Sequence, residues 1–398
     1  MITVALLALL VLAVFALSSL VRVGTQAVGS SAYQTQARRN ALLALSVALG
    51  ELQRAAGPDA RVTGIAGITG IAPNANNTTR HWCGVWRNDG SFVGWLTSGA
   101  QSQAPALSAG VSAIELAGQN TLGATFANSE HVIAGKIPIA GAGIDANFSG
   151  NYAFLVLDEG VKTSLYAPSP AATAPVIFAN TTNAQSRLRD AVATYAAALP
   201  GLFSYEQVAV IPTPAAALTA STLQDNFHHT TLTARWVNNT SLQTGYVNVN
   251  TNSVIVWRNL LQTYNASPAA PAQIAAGTLS TRGTSLQNNV AAFSTAGKVA
   301  NGPFTSTAAA AALLASVFTS GSPTAVQINT VVAPMLAVRS DTFRIRAYGE
   351  ATNPLDGSTL EGTAYCEAIV QRTTETAPAG LGRRFVITYF RWLGPDDI

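Results

Sequence analysis

Ile2 to Leu20 reads ITVALLALLVLAVFALSSL, a run without a single charged side chain. At 1.5 Å per helical residue it reaches roughly 28 Å, close to the hydrocarbon thickness of a bilayer. A chain that opens this way must put one helix into lipid or into an equally apolar bundle, and fold everything else outside. A removable secretory signal would carry a basic flank, a shorter apolar stretch and a small-residue cleavage site. Here no basic residue precedes the run and Arg22 follows it. Signal anchors ordinarily need Lys or Arg on the cytoplasmic side. The expectation is therefore that a short basic leader has been removed and that Met1 is the mature first residue. The alternative is a plain single-span anchor that starts at its initiator Met.

Beyond the run, Gly24, Gly29, Ser30 and Ser31 form a soft patch, because glycine and serine give up helical hydrogen bonds most readily. Helical spacing resumes from Tyr33 to Ala56. Ala41, Leu42, Leu45, Leu49 and Leu52 form one stripe, with Gln34, Arg38, Arg39, Glu51 and Arg54 largely on other faces. Gly57-Pro58 stops it. The pattern predicts an N-terminal helix over 1–56, apolar all round in 1–22, amphipathic in 33–56, and loosened near Gly24 to Ser31.

This two-part helix resembles that of the type IV pilin and type II secretion pseudopilin superfamily. Members begin with Phe or Met followed by an apolar run, as MITVALL does here. Residues 152–164 (YAFLVLDEGVKTS), 245–251 (GYVNVNT) and 340–351 (SDTFRIRAYGEA), the last followed by TAYCEAIVQR, resemble segments of the K-type minor pseudopilins in the same order. The chain departs at the fifth position, where most pilins carry Glu and this one has Ala5. The resemblance implies an α+β fold, a pilin-like lollipop whose long N-terminal helix packs on an antiparallel β-sheet, with a large irregular, mostly β insertion in the head. It also implies that Met1, Ala5, Leu6, Leu9, Leu12, Phe15 and Leu20 belong to an assembly helix. The expected partners are further copies in a helical filament, the inner membrane before assembly, a prepilin peptidase and the pilus assembly machinery. The expected final location is an extracellular filament on the cell surface. Ala5 leaves two readings open, a divergent filament subunit or a minor tip pseudopilin. A third, of another class, is a membrane-anchored surface binding protein or enzyme that does not polymerise.

The head, 57–398, divides into a first β part (57–166), a mixed insertion (167–335) and a closing meander (336–398). His81 to Leu96 reads as an aromatic hairpin around an Asn88-Asp89-Gly90 turn, with its tryptophans as core. In the closing region Phe343, Ile345 and Ala347 alternate with Arg344, Arg346 and Tyr348, the period of a half-buried strand. Asn353-Pro354-Leu355-Asp356-Gly357 supplies a turn. Ala364, Cys366, Ala368 and Val370 then share one face, and Phe385, Ile387 and Tyr389 another. The Leu stripe of the N-terminal helix is the available cover for this three-stranded meander. Its Arg-rich outer face (Arg344, Arg346, Arg372, Arg383, Arg391) is expected to pair across strands with Glu350, Glu361, Glu367 and Glu375. Ser186 to Leu199, Val254 to Leu261 (capped by Asn252 or Ser253) and Thr305 to Thr319 read as helices.

Composition narrows function. Charged residues are only 10% of the chain and apolar ones 48%, which argues against a cytosolic enzyme with a charged shell. The net charge of +3 arises from thinly scattered residues, so no nucleic-acid footprint is present. Gly-x-Ser-x-Gly, His-Glu-x-x-His and phosphate-loop motifs are missing, and no catalytic residue, cofactor or metal is expected. Asp225 with His228 and His229 suits a metal badly, because adjacent histidines on a strand point to opposite faces. Asp356 and Glu361 flank a loop better read as a solvated turn than as a calcium site. The sequons at Asn77, Asn147, Asn180, Asn239 and Asn265 read as chance matches. Cys83 and Cys366 both fall on expected strands. They form either one disulfide, stabilising by roughly 4–5 kcal/mol in the chain-entropy picture, or two buried free thiols.

Overall fold

The computed structural model describes residues 2–71, 78–123, 130–139, 150–164, 224, 227–231, 247–266, 270–333, 336–353, 359–378 and 380–398. The elements run α1 (Ile2–Ala56), β1 (Arg61–Ile65), β2 (Cys83–Arg87), β3 (Phe92–Trp95), β4 (Ala113–Ala117), α2 (Gln119–Leu122), β5 (Val132–Gly135), β6 (Ile137–Pro138) and β7 (Asn151–Asp158). They continue with β8 (Thr163–Ser164), β9 (Thr230–Thr231), β10 (Val247–Asn248), α3 (Val254–Ala266), α4 (Ala276–Ala292), α5 (Thr307–Val317) and α6 (Ala325–Val332). The chain closes with β11 (Leu336–Ala337), β12 (Thr342–Thr352), β13 (Leu360–Thr376) and β14 (Arg383–Leu393).

α1 is a single helix of 55 residues, about 80 Å long. It runs unbroken through Gly24 and Gly29, where the sequence reading expects loosening. Glycine costs a helix only about 1 kcal/mol against alanine. The helical segments on either side propagate through the patch, and a Cβ added at either glycine would meet open space.

The C-terminal half of α1 lies on a five-stranded sheet of order β14-β13-β12-β7-β6. The expected antiparallel meander is its β12–β13–β14 part, extended by β7 antiparallel to β12. The helix docks chiefly through Ala37, Ala41, Ala44, Ala48, Leu52 and Ala55, all buried. The expected stripe holds at Ala41, Leu45 and Leu52, with Leu49 partly buried against the same layer, and fails at Leu42, 42% exposed on the flank; alanines supply most of the contact. Small side chains let the backbones meet. At Gly349 an added Cβ would fall on the Ala41 nitrogen and Ala37 carbonyl oxygen, and at Gly362 it would lie 2.9 Å from the Tyr33 oxygen. Phe154, Val156, Phe343, Ile345, Ala347, Cys366, Ala368 and Val370 complete this layer.

The other sheet face is not a solvated outer face. Every residue of β12 is buried, because the rest of the head packs there around Trp82, Trp86, Leu155, Leu157, Trp257, Leu313 and Tyr348. Arg344 and Arg346 are therefore interior residues. β14 carries a second correction. Ile369 pairs with Tyr389 but Val370 with Ile387, so Thr388 is a bulge residue and Tyr389 turns away from the face shared by Phe385 and Ile387.

Other local readings hold. Residues 83–95 form the β2–β3 hairpin, with Gly90 at φ +84° and Asp89 Oδ1 accepting from the Ser91 amide at 2.8 Å. Trp82, Trp86 and Trp95 are buried in the core. Ser253 Oγ caps α3 by accepting from the Val256 amide at 3.2 Å, and Ser306 caps α5. Met1, Asp225, the 354–358 turn and 186–199 lie outside the described residues.

Candidate functional site

The N-terminal half of α1 projects from the head with its apolar side chains bare. Leu6, Leu9, Leu12, Phe15 and Leu20 are 62%, 73%, 71%, 72% and 71% exposed, and Ala5 is exposed among them. Water-soluble monomers rarely leave so large a continuous apolar surface uncovered. Among the described residues α1 alone is long and apolar enough to cross a bilayer.

Three amide side chains fix the docked half along its axis. Gln34 Nε2 donates to the Thr363 carbonyl at 2.9 Å and Asn40 Nδ2 to the Glu350 carbonyl at 2.8 Å. Gln53 Nε2 donates to the Leu381 and Arg383 carbonyls at 2.8 and 2.7 Å, while its Oε1 accepts from the Phe385 amide at 3.0 Å. Polar side chains on a helix read as solvent-facing; these three find strand backbone, a pairing that periodicity cannot reveal.

Opposite the helix, the sheet carries a buried ionic network. Glu367, fully enclosed, meets Arg344 at 2.8 Å, Arg346 at 2.9 Å and Arg391 at 3.1 Å. Glu159 joins Arg344 at 3.1 Å and Lys162 at 2.7 Å. Burial alone would raise the Glu367 carboxyl, but the three guanidiniums outweigh it and hold it well below the usual range. Arg346–Glu367 and Glu367–Arg391 are register partners, as the sequence suggests. Glu350 instead takes Lys136 at 2.6 Å, Arg372 takes Asp59 at 2.5 Å, and Arg384 takes Glu375 at 3.5 Å.

Cys83 and Cys366 are both free and buried, so the disulfide reading gives way to free thiols. Cys366 Sγ lies 3.9 Å from the Ala41 carbonyl, against α1. Burial, with Glu367 beside it, pushes this thiol up to about 12. Burial, then Asp158, raises Cys83 well above its ordinary value. Asn265 uses both ends of its amide on Ile274 at 2.8 Å.

One cluster was invisible in the sequence. His81, just before β2, Glu130, just before β5, and His228, just before β9, converge with their ligand-type atoms within 4.8 Å of one another. His81 Nε2 lies 2.7 Å from Glu130 Oε2, and the His81 and His228 rings stack at 3.6 Å, 2° from parallel. Arg80 Nη2 donates to both Glu130 oxygens at 2.7 and 3.0 Å. Burial, then the Arg80 charge, holds His81 well below its ordinary value. His228 is lowered by burial and then by His81. No local spacing links residues 81, 130 and 228; of the set weighed from sequence, Asp225 lies outside the described residues and His229 turns to Ser253 at 2.9 Å.

The architecture is α+β, a long N-terminal helix half bare and half seated on an antiparallel sheet. No family model matches the chain, and no curated protein does. Among solved structures it is similar to a chain in the crystal structure of the GspK-GspI-GspJ complex from the enterotoxigenic Escherichia coli type 2 secretion system. The identity is 12% and the TM-score 0.33, over 66% of this chain and 84% of that one.

Proposed function

We propose that the chain is a structural subunit of an extracellular type IV pilus-like filament, polymerising through α1. One observation carries the reading: a single rigid helix whose first half is bare and apolar and whose second half is keyed to the head. Such a helix rests in the inner membrane before assembly and among neighbouring helices afterwards. At about 25 cal/mol per Å² its burial would be large from water. Lipid already solvates it, so packing between helices supplies the smaller net gain. Ala5 places no carboxylate near a neighbouring amino terminus, which sets this subunit apart from the common pilin pattern.

Imaging of filaments sheared from the cell surface, with peptide mass identification, tests the proposal. This chain as the repeating unit supports it. A few copies confined to one end would make it a minor tip pseudopilin, and a chain that stays single in the membrane would make it an anchored surface protein. Leu9→Lys, which puts a charge in the apolar half at a cost of about 3 kcal/mol in the membrane, is expected to abolish filaments while leaving the head folded.

A further inference from the structure

We propose that His81, Glu130 and His228 form a zinc site that clips three distant parts of the head together. Two imidazoles and one carboxylate are a donor set suited to Zn²⁺, leaving a fourth position for water. The ligand atoms lie within 4.8 Å of one another, against about 3.4 Å in a tetrahedral site with bonds near 2.1 Å. The His81–Glu130 pair, at 2.7 Å, must therefore open by about 0.7 Å, while separations up to the 4.8 Å limit close by at most about 1.4 Å. The ion replaces the His81–Glu130 hydrogen bond, and one of the stacked rings turns so that its lone pair, which lies in the ring plane, aims at the metal.

Arg80 fits the role of a supporting group. Its Nη2 bonds to Glu130 Oε1 at 2.7 Å and to Oε2 at 3.0 Å, so Oε1 stays held while Oε2 gives up the longer bond to the ion, a support of the kind ligating carboxylates commonly have. The guanidinium charge also limits the affinity. Glu130 stands 49 residues from His81 and 98 from His228, so one ion closes two long loops whose entropy the unfolded chain would otherwise keep. The clip joins the approaches to β2, β5 and β9, a tie the free cysteines do not provide.

The test uses the full, untagged chain in detergent, stripped of metal and titrated with Co²⁺. The expected result is one equivalent bound, with the intense visible absorption of four-coordinate cobalt, displaced by one equivalent of Zn²⁺, which also raises the thermal midpoint. His81→Asn and His228→Asn are each expected to weaken binding at least tenfold, while His131→Asn, which alters the separate His131–Glu115 pair, leaves it unchanged. Only the weak absorption of hydrated cobalt, or equal binding by the His81 and His228 variants, overturns the proposal. Should either variant fail to fold, the cobalt spectrum of the unaltered chain decides.

Discussion

Gly349→Ala probes the seating of α1 most directly. The new methyl would fall on the Ala41 nitrogen and Ala37 oxygen and lie 2.7 Å from the Asn40 carbonyl carbon. All three are backbone atoms of one helix, so no rotamer change relieves the contact. Non-bonded carbons settle at 3.5–4.0 Å, so helix and strand must part by about 1 Å. Forced expansion of a packed core costs about 1–3 kcal/mol, and the stretched Asn40–Glu350 hydrogen bond adds about 1 kcal/mol. The total is about 2–4 kcal/mol. With an unfolding entropy of about 2.1 cal/mol/K per residue, a chain of 398 residues should lose about 2–5 °C of midpoint. Circular dichroism of the full chain in detergent reads this. Gly24→Ala, whose methyl meets open space, is the matched control. A midpoint for Gly349→Ala equal to that of the parent would refute backbone-to-backbone seating.

Four further outcomes are expected. Glu367→Gln leaves Arg344 and Arg346 buried with their shared carboxylate gone, and urea unfolding should show a loss of about 3–5 kcal/mol. Because the folded pKa of Glu367 is depressed, its contribution is present above the unfolded value of about 4.3 and is lost as pH falls toward the folded one; acid titration of wild type and variant should converge. Asp158 behaves oppositely. Burial pushes it up to about 6, so its stabilisation is present below about 3.9 and lost as pH rises through 6. Asp158→Asn should therefore gain on wild type by about 1–3 kcal/mol between pH 4 and pH 8, and a flat difference would contradict the burial argument. Both thiols should resist alkylation at pH 8 in the folded chain and react fully in denaturant without reductant; unreactive thiols in denaturant would restore the disulfide. Gly24→Ala and Gly29→Ala should each strengthen α1 by about 1 kcal/mol, read as slower amide exchange across the patch. If the patch loosens within a filament, the same variants should stiffen it.

The sequence revealed the elements that repeat a simple period. The apolar run, the hairpin at Asn88-Asp89-Gly90, the Ser253 cap and the three closing strands all follow from spacing and turn chemistry. What it hid depended on neighbours. Arg344 and Arg346 read as outward because alternation marks one buried face, yet the insertion covers the other face as well. The helix stripe read as leucine because hydrophobicity ranks leucine above alanine, while contact with Gly349 selects the smallest side chains. The Thr388 bulge shifts Tyr389 by one position, which alternation cannot anticipate. His81, Glu130 and His228 meet only through the tertiary fold.

The amide clamps of Gln34, Asn40 and Gln53 also bear on mechanics. Sliding the head along α1 by one turn, about 5.4 Å, would break every one of those bonds to strand and loop backbone at once. Head and rod therefore move as one piece, and a tug on the surface of the head travels straight into the apolar shaft, with no slack to absorb it at the join.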